Sequence, residues 1–436
     1  MNAVLLTSIL FGMLVLFLLT GLPLSFSLSA AAVILILWQL GPEFLYLIPA
    51  TAYSAWTNFI LVAVPLFVLM ANFLAESGIA GDLYEAMYKW MGRLRGGLAM
   101  GTVIICAIFG AMSGISGVAT VSMGLIALPS MLERRYQKSL AIGSVAAGGT
   151  LAILIPPSII MIIYGSLAGE SVGKLFLAGI IPGIILTFIF VCYIGIRSFL
   201  QPAIAPGLSK KESYSWKEKM RSIKSLSMPL VLIILVLGVI YTGVCTPTEA
   251  SGIGAFGALI CLIIKKRATW EVLSNALLKT LRLTCMIMWI VLGAKLFSHV
   301  YYAIGSIDLI TNIISGIGLN RWFILIIMEL IMIILGMFLD PMGIIVICIP
   351  IFLPIIQDLG FNTLWFGILF VINMEIGYIT PPFGFNLFYM KGVVPVGVTM
   401  GDIYRSIVPF FMLDLFMMAI LMVFPQLSLW LPSKMG

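Results

Sequence analysis

The chemistry this sequence offers lies in backbone and hydroxyl oxygens held at two interruptions of otherwise apolar segments. Gly148 to Ser158 reads GGTLAILIPPS and Glu375 to Asn386 reads EIGYITPPFGFN, with the two proline pairs 225 residues apart. A membrane helix pairs its backbone groups internally, so a break of this kind is tolerated only where it is buried or lines a cavity. Each break follows a second apolar stretch with its own turn, GAMSGISG at Gly110–Gly117 and GMFLDPMG at Gly336–Gly343. Unwound backbone at such points exposes carbonyls that replace the water around a small cation, and half-helix amino ends offer N–H groups to an anion. Paired breaks of this type are the binding elements of secondary transporters.

In the first unit Ser113, Gly114, Ile115, Ser116, Gly117 and Thr120 stand opposite Gly149, Thr150, Ala152, Ile155, Pro156, Pro157 and Ser158. The set has hydroxyls and carbonyls but no carboxylate, which suits Na+ better than Mg2+ or Ca2+. Close helix packing also accounts for its small residues, although not for its paired prolines. The second unit carries Asp340-Pro341 at its turn and Gly377, Tyr378, Thr380, Pro381, Pro382, Phe383, Gly384 and Asn386 at its break. An acid within the membrane is costly and points to function. Asp340 is placed to bind substrate, assist a cation or carry a proton, and equally to cap a half-helix with Pro341 at its first position. Glu329 and Glu375 are expected nearer segment ends, at interfaces. Lys279, Arg282, Lys295 and the single His299 share one segment, where interfacial placement, a partner subunit or an anionic substrate would each account for them. Asp414 is an intramembrane acid with no evident partner.

These residues need long apolar elements to position them, and the composition supplies them. Of 436 residues 62% are apolar and 9% charged, and uncharged runs recur at the length of a bilayer crossing. The fold class is an all-α polytopic membrane protein. Segments fall near 3–20, 23–40, 58–75, 98–131, 139–168, 175–197, 228–243, 250–264, 273–303, 322–357, 362–390 and 406–431. The first lacks a basic leader and cleavage signal and reads as a retained helix. Segments 98–131 and 322–357 are too long for one straight crossing, and each turn near the middle makes a re-entrant hairpin. Charge orients them: of 24 basic residues, 18 lie in 89–97, 133–138, 197–224 and 265–267 or are Lys391 and Arg405. Placing all 18 inside, as basic loops prefer, requires an outside amino terminus and makes the hairpins enter from opposite faces.

The result is an inverted-topology repeat. Its halves are 1–199, with hairpin 98–131 and broken helix 139–168, and 227–436, with hairpin 322–357 and broken helix 362–390. A cytoplasmic linker, 200–226, joins them, and its basic second part is suited either to anionic membrane lipid or to solvent. The six cysteines are scattered singly without metal-ligand spacing. Walker, HExxH and Gly-x-Ser-x-Gly motifs are missing, and the only histidine is far from the candidate serines, so the sequence is not read as an enzyme. Nothing in it calls for nucleic acid or a cofactor other than a coupling ion.

VPLFVLMANFLAESGIAGDLYE from Val64, SGISGVATVSMG from Ser113, AAGGTLAILIPPSIIMIIYG from Ala146, TPTEASGIGA from Thr246 and NMEIGYITPPFGFNLF from Asn373 span most of the chain. In this order they resemble the DctM-type large membrane subunit of tripartite ATP-independent periplasmic (TRAP) transporters. The resemblance implies an elevator-type, Na+-coupled carrier in the bacterial inner membrane. It implies a small four-helix membrane subunit, expected as a separate chain, and a periplasmic substrate-binding protein. The implied cargo is an organic anion: a dicarboxylate, sialic acid, related sugar acid or sulfonate. It also implies one Na+ site at Ser113, Ile115, Ser116, Ala152, Ile155 and Pro157 and a second at Gly377, Thr380 and Pro382. Substrate contacts are expected from Asp340, Thr150, Ser158 and Asn386. Ala152 stands where the family commonly has glycine. A free-standing Na+- or H+-coupled carrier, a channel and a membrane scaffold are the alternatives.

Overall fold

The computed structural model describes residues 3–207, 214–222, 224–306 and 320–435. Part of the expected linker, 208–213 and residue 223, lies outside the described residues. Every regular element among them is helical. The first half runs α1 (Ala3–Leu19), α2 (Leu24–Leu35), α3 (Leu47–Trp56), α4 (Ala63–Ser77), α5 (Ile79–Met91), α6 (Gly97–Ser113), α7 (Ser116–Glu133), α8 (Lys138–Leu154), α9 (Ile159–Ala168) and α10 (Val172–Leu200). A short surface helix α11 (Trp216–Ser222) then leads into α12 (Lys224–Tyr241), α13 (Pro247–Ile264) and α14 (Trp270–Ala303). The remaining helices are α15 (Arg321–Gly336), α16 (Pro341–Asp358), α17 (Thr363–Ile379), α18 (Phe385–Val393) and α19 (Met400–Val423). Among the described residues, nine helical stretches are long and apolar enough to cross a membrane.

Each long segment with a central turn folds back on itself. Helices α6 and α7 meet at Gly114, whose left-handed φ of +64° ends α6 and reverses the chain. Their outer ends come together, since the Leu98 amide donates to the Tyr136 hydroxyl at 3.4 Å. The Gly96 and Gln137 amides both donate to the start of the linker, at the Ala205 and Ile204 carbonyls, at 3.0 and 2.7 Å. In the second hairpin α15 and α16 meet at Asp340, whose carboxylate accepts from the Met342 amide at 3.0 Å with Pro341 in the first helical position. Its outer ends also converge, with the Trp322 and Phe361 rings 5.1 Å apart.

The hairpins open at opposite ends of α10. The first opens beside the end of α10, where Gly96 packs against Ser198. The second opens beside its start, where the Thr363 hydroxyl donates to the Glu170 carboxylate and the Tyr164 hydroxyl donates to the Thr363 carbonyl at 2.7 Å. With 29 residues in α10, that separation is roughly 44 Å at about 1.5 Å per residue, a bilayer with its headgroups. Basic loops gather at the linker end. Arg134 donates to Tyr88, Arg197 to Gln137, Lys265 to Asp82, and the Trp90 indole to the Lys219 carbonyl. The amino-terminal helix starts at the other end, where Thr7 and Ser306 share a hydrogen bond of 2.6 Å. Basic loops mark the linker end as cytoplasmic.

Small residues decide how tightly each hairpin clasps its broken helix. A Cβ on Gly149 would stand 1.8 Å from the Thr120 hydroxyl of α7, and one on Gly148 would meet Cys106 of α6 at 3.1 Å. The Gly-Gly pair therefore lets both arms lie against α8. One turn on, a Cβ on Gly110 would stand 2.7 Å from the Ala152 Cα, and a Cβ on Gly336 would stand 2.8 Å from the Gly377 Cα. These two close approaches occupy matching places in the two units. Gly149→Ala is expected to lower stability by ~1–3 kcal/mol through overpacking, read as thermal unfolding of the purified protein. Gly392→Ala, which has open space around it, should leave the melting temperature unchanged or slightly higher, and equal behaviour of the two variants would contradict this packing.

Candidate functional site

Proline places the free oxygens. Residues 156 and 157 have no amide hydrogen, so the Ala152 and Ile153 carbonyls lose the donors that a further turn of α8 would supply. Pro381 and Pro382 do the same for Gly377 and Tyr378 at the end of α17. The Gly377 carbonyl is met instead by the Thr380 amide at 3.3 Å. Both Pro-Pro bonds are cis. Beyond the first break the Ser158 hydroxyl caps α9 by accepting from the Met161 amide at 3.4 Å. Opposite it, a Cβ on Gly114 would stand 2.3 Å from the Pro157 carbonyl oxygen. Tip and break are thus in contact, and the Ser113 hydroxyl beside them is buried without a hydrogen-bond partner.

That orphaned hydroxyl and the undonated carbonyls fit a small monovalent cation. Ser113, Ile115, Ser116, Ala152, Ile155 and Pro157 all belong to this one tip-and-break junction. In the second unit Gly377 is fully buried and the Thr380 hydroxyl donates back to the Ile376 carbonyl at 2.5 Å. The Pro382 carbonyl accepts from the Tyr404 hydroxyl at 2.8 Å, which leaves its second lone pair for another partner. The Phe383 amide donates to the Met337 carbonyl at 3.2 Å and ties this break to its hairpin tip.

The two units meet around Asn386. Its side-chain oxygen accepts from the Ser116 and Thr120 hydroxyls of α7, at 3.1 and 2.7 Å, and its amide donates to the Ala146 carbonyl of α8 at 2.5 Å. This residue of the second break therefore fastens α18 to the first hairpin and the first broken helix. Thr150 is fully buried and donates to the Ala147 carbonyl at 2.7 Å. Asp340 is half-buried, with Tyr378 and Tyr389 beside its carboxylate. The Tyr389 ring also occupies the space in front of Gly117, 2.7 Å from where a Cβ would stand. The second tip and the first tip thus face one another across Tyr389. Nothing in the sequence singled out Tyr389, because it lies on the half-helix beyond the break.

Three expectations need correction. Glu329 and Glu375 are not near interfaces; both are fully buried. The reason is that α17 ends at a break inside the protein, not at a surface, and Glu329 falls mid-way along α15. Glu329 accepts from the Asn373 amide at 2.7 Å. Asp414 is not isolated: it is buried beside the Glu375 carboxyl, which also has Thr150 as a neighbour. Trp365, near the start of α17, is also packed inside, its indole donating to the Leu421 carbonyl at 2.9 Å.

Two re-entrant hairpins clasping two broken helices, with the breaks lined by free oxygens, define a membrane transport protein. The solved structure of the Alcanivorax borkumensis YdaH transporter has the same overall fold, with a TM-score of 0.62 at 15% identity over 91% of this chain and 90% of that one. The model of the DctM component of tripartite ATP-independent periplasmic transporters matches residues 11–427, and the chain belongs to that family. It is 36% identical to the C4-dicarboxylate TRAP transporter large permease protein DctM of Pseudomonas aeruginosa, over 94% of each chain. It is 31% identical to the isethionate TRAP transporter permease protein DctMQ of Oleidesulfovibrio alaskensis, over 88% of this chain and 60% of that one. With the ectoine/5-hydroxyectoine large permease UehC of Ruegeria pomeroyi it shares 30% identity over 85% of each. These relatives are permease subunits and not enzymes, and the chain is a multi-pass protein of the bacterial inner membrane. Asn386→Ala would strand two buried hydroxyls and take the second donor from the Ala146 carbonyl, and a loss of about 2–3 kcal/mol in unfolding stability is expected; an unaltered melting curve would show that the node does not hold the units together.

Proposed function

We propose that this chain is the Na+-coupled permease of a tripartite importer of an organic acid. The observation that carries the reading is the pair of breaks whose prolines withdraw amide donors from neighbouring carbonyls while a hairpin tip closes over each. One Na+ would lie among Ser113, Ile115, Ser116, Ala152, Ile155 and Pro157, and a second near Gly377, Thr380 and Pro382. Neutral oxygen donors of this kind match Na+, and the unpaired Ser113 hydroxyl supports a ligand at the first position. Asp340, with Tyr378 and Tyr389 around it, would line the substrate space between the tips. The hydroxyls of Thr150 and Ser158 and the Asn386 amide are already bonded within the protein. Their proposed role is to hold the wall of that space.

The halves 1–199 and 227–436 would contribute one hairpin and one broken helix each to a moving body. Because Asn386 ties the second break to the first hairpin, α6–α9 and α15–α18 would shift together against the remaining helices, in an elevator movement. A small membrane subunit and a periplasmic binding protein would complete the assembly, the latter delivering cargo at the end where the second hairpin opens. The basic α11 would rest on anionic lipid. Three relatives at 31–36% identity over 94–98% of this chain are C4-dicarboxylate permeases, which makes a four-carbon dicarboxylate the first cargo to test. Inward Na+ in excess of the charge on the anion would make uptake respond to membrane potential.

The test is radiolabelled succinate uptake into proteoliposomes holding this chain and its small subunit, with and without the cognate binding protein. Uptake is expected to require the binding protein and to vanish when Na+ is replaced by K+. Ser113→Ala should raise the Na+ concentration for half-maximal uptake by about tenfold, the equivalent of one lost polar contact. Full uptake in K+ would end the Na+ assignment, and uptake without the binding protein would end the tripartite assignment.

A further inference from the structure

A second polar cavity lies away from the hairpin tips. It has a volume of about 190 Å3 and is lined by Ser54 of α3, Ser166 of α9, Lys295, His299 and Tyr302 of α14, and Pro350 of α16. Residues 295, 299 and 302 are one helical turn apart and so fall on one face of α14. The cavity is the seam between that helix and the outer arm of the second hairpin. It sits at the end where the second hairpin opens, because Ser166 is three residues from the turn that leads into α10 and accepts from Asn58 at 3.0 Å.

Its electrostatics are one-sided. Lys295 is half-buried and has the His299 imidazole as its neighbour on the same helix face. No salt bridge to Lys295 is found among the described residues. A half-buried ammonium next to an imidazole, with no carboxylate paired to it among the described residues, favours an incoming anion. The surrounding hydrogen bonds leave donors facing the space. Thr51 and the His299 Nδ1 are 3.1 Å apart; with the Thr51 hydroxyl donating, the other ring nitrogen carries the proton. Ser166 uses its oxygen to accept from Asn58, which leaves its own hydrogen to donate. Tyr302 closes the side: its hydroxyl lies 3.5 Å from the Pro350 carbonyl. That carbonyl is free because residue 354, one turn on, is also proline.

The geometry points to an anion subsite in this seam, separate from the Asp340 region, that takes the carboxylate of a small organic acid on the side from which cargo arrives. The inference rests on the organic-anion reading and extends it from the tip site to the approach. At about 30 Å3 per water in the liquid, the cleft holds roughly six waters' worth, enough to seat a carboxylate and the short chain of a four-carbon dicarboxylate. Because one wall is scaffold helix and the other is hairpin, an anion here bridges the two and favours the arrangement in which they are together.

The experiment is binding of inorganic sulfate and of succinate to the purified full chain in nanodiscs of phosphatidylcholine, by isothermal titration. Sulfate reports the anion subsite whatever the transported acid is. Affinity for both is expected to fall about tenfold in Lys295→Gln and in His299→Gln, to recover in Lys295→Arg, and for sulfate to stay unchanged in Asp340→Asn. Unchanged sulfate affinity in Lys295→Gln would overturn the subsite and leave the importer reading standing. Loss of sulfate binding in nanodiscs containing phosphatidylglycerol would overturn it in favour of a lipid headgroup. Sulfate binding that depends on Lys295, in a protein that shows no Na+-driven succinate uptake, would keep the subsite while the importer reading fails.

Discussion

A lipid interior offers no hydrogen bonds, so every backbone amide and carbonyl placed there must find a partner within the protein. Four prolines, at 156, 157, 381 and 382, remove donors at that depth. Much of the architecture answers this constraint. Each break is covered by a hairpin from the same half, the hairpin's small residues bring its backbone against the broken helix, and the next half-helix begins with a cap or a tight turn. The same arrangement that shields the breaks gathers oxygens in a space from which water is largely excluded. Shielding of the breaks and the gathering of oxygens are therefore two results of one local geometry.

The two units repeat this solution in form but not in chemistry. Gly110 approaches Ala152 as Gly336 approaches Gly377, so the first contact carries a methyl group that the second lacks. The first tip presents an unpaired serine hydroxyl and the second an aspartate that caps its own half-helix. A neutral, oxygen-lined pocket and a pocket with a carboxylate at its rim suit different ligands. Asn386 joins them, because it belongs to the second unit by sequence and to the first by its hydrogen bonds. The two units are thereby joined through a residue that is fully buried.

Features set by local chemistry were legible in the sequence. Proline pairs, the Asp-Pro turn and glycines with matched spacing announce breaks and hairpins because their effect on the backbone does not depend on neighbours. The charge distribution oriented them for the same reason, since positive loops act individually. What could not be read was anything that depends on where helix ends lie in depth. Glu375 is near the end of its helix and looked interfacial, yet that end is a break in the interior, and the carboxyl is buried against Asp414 from a helix some forty residues on. Tyr389 and the Asn386 node were equally hidden: their partners are about 270 residues away in sequence, and only packing brings them together.

The chain between the hairpins has one further property. From the first hairpin it traverses the fold by the α8–α9 pair, then by α10, α12, α13 and α14, before the second hairpin begins. Among the described residues that is an odd number of passages, and this parity agrees with the second hairpin opening on the far side. Adding or removing a single crossing in this stretch would turn the second unit over, so that both hairpins opened on the same side. Pairs of helices can be inserted or deleted here without that penalty. The number of helices in this connecting region, whatever their sequences, therefore sets how the two units face one another.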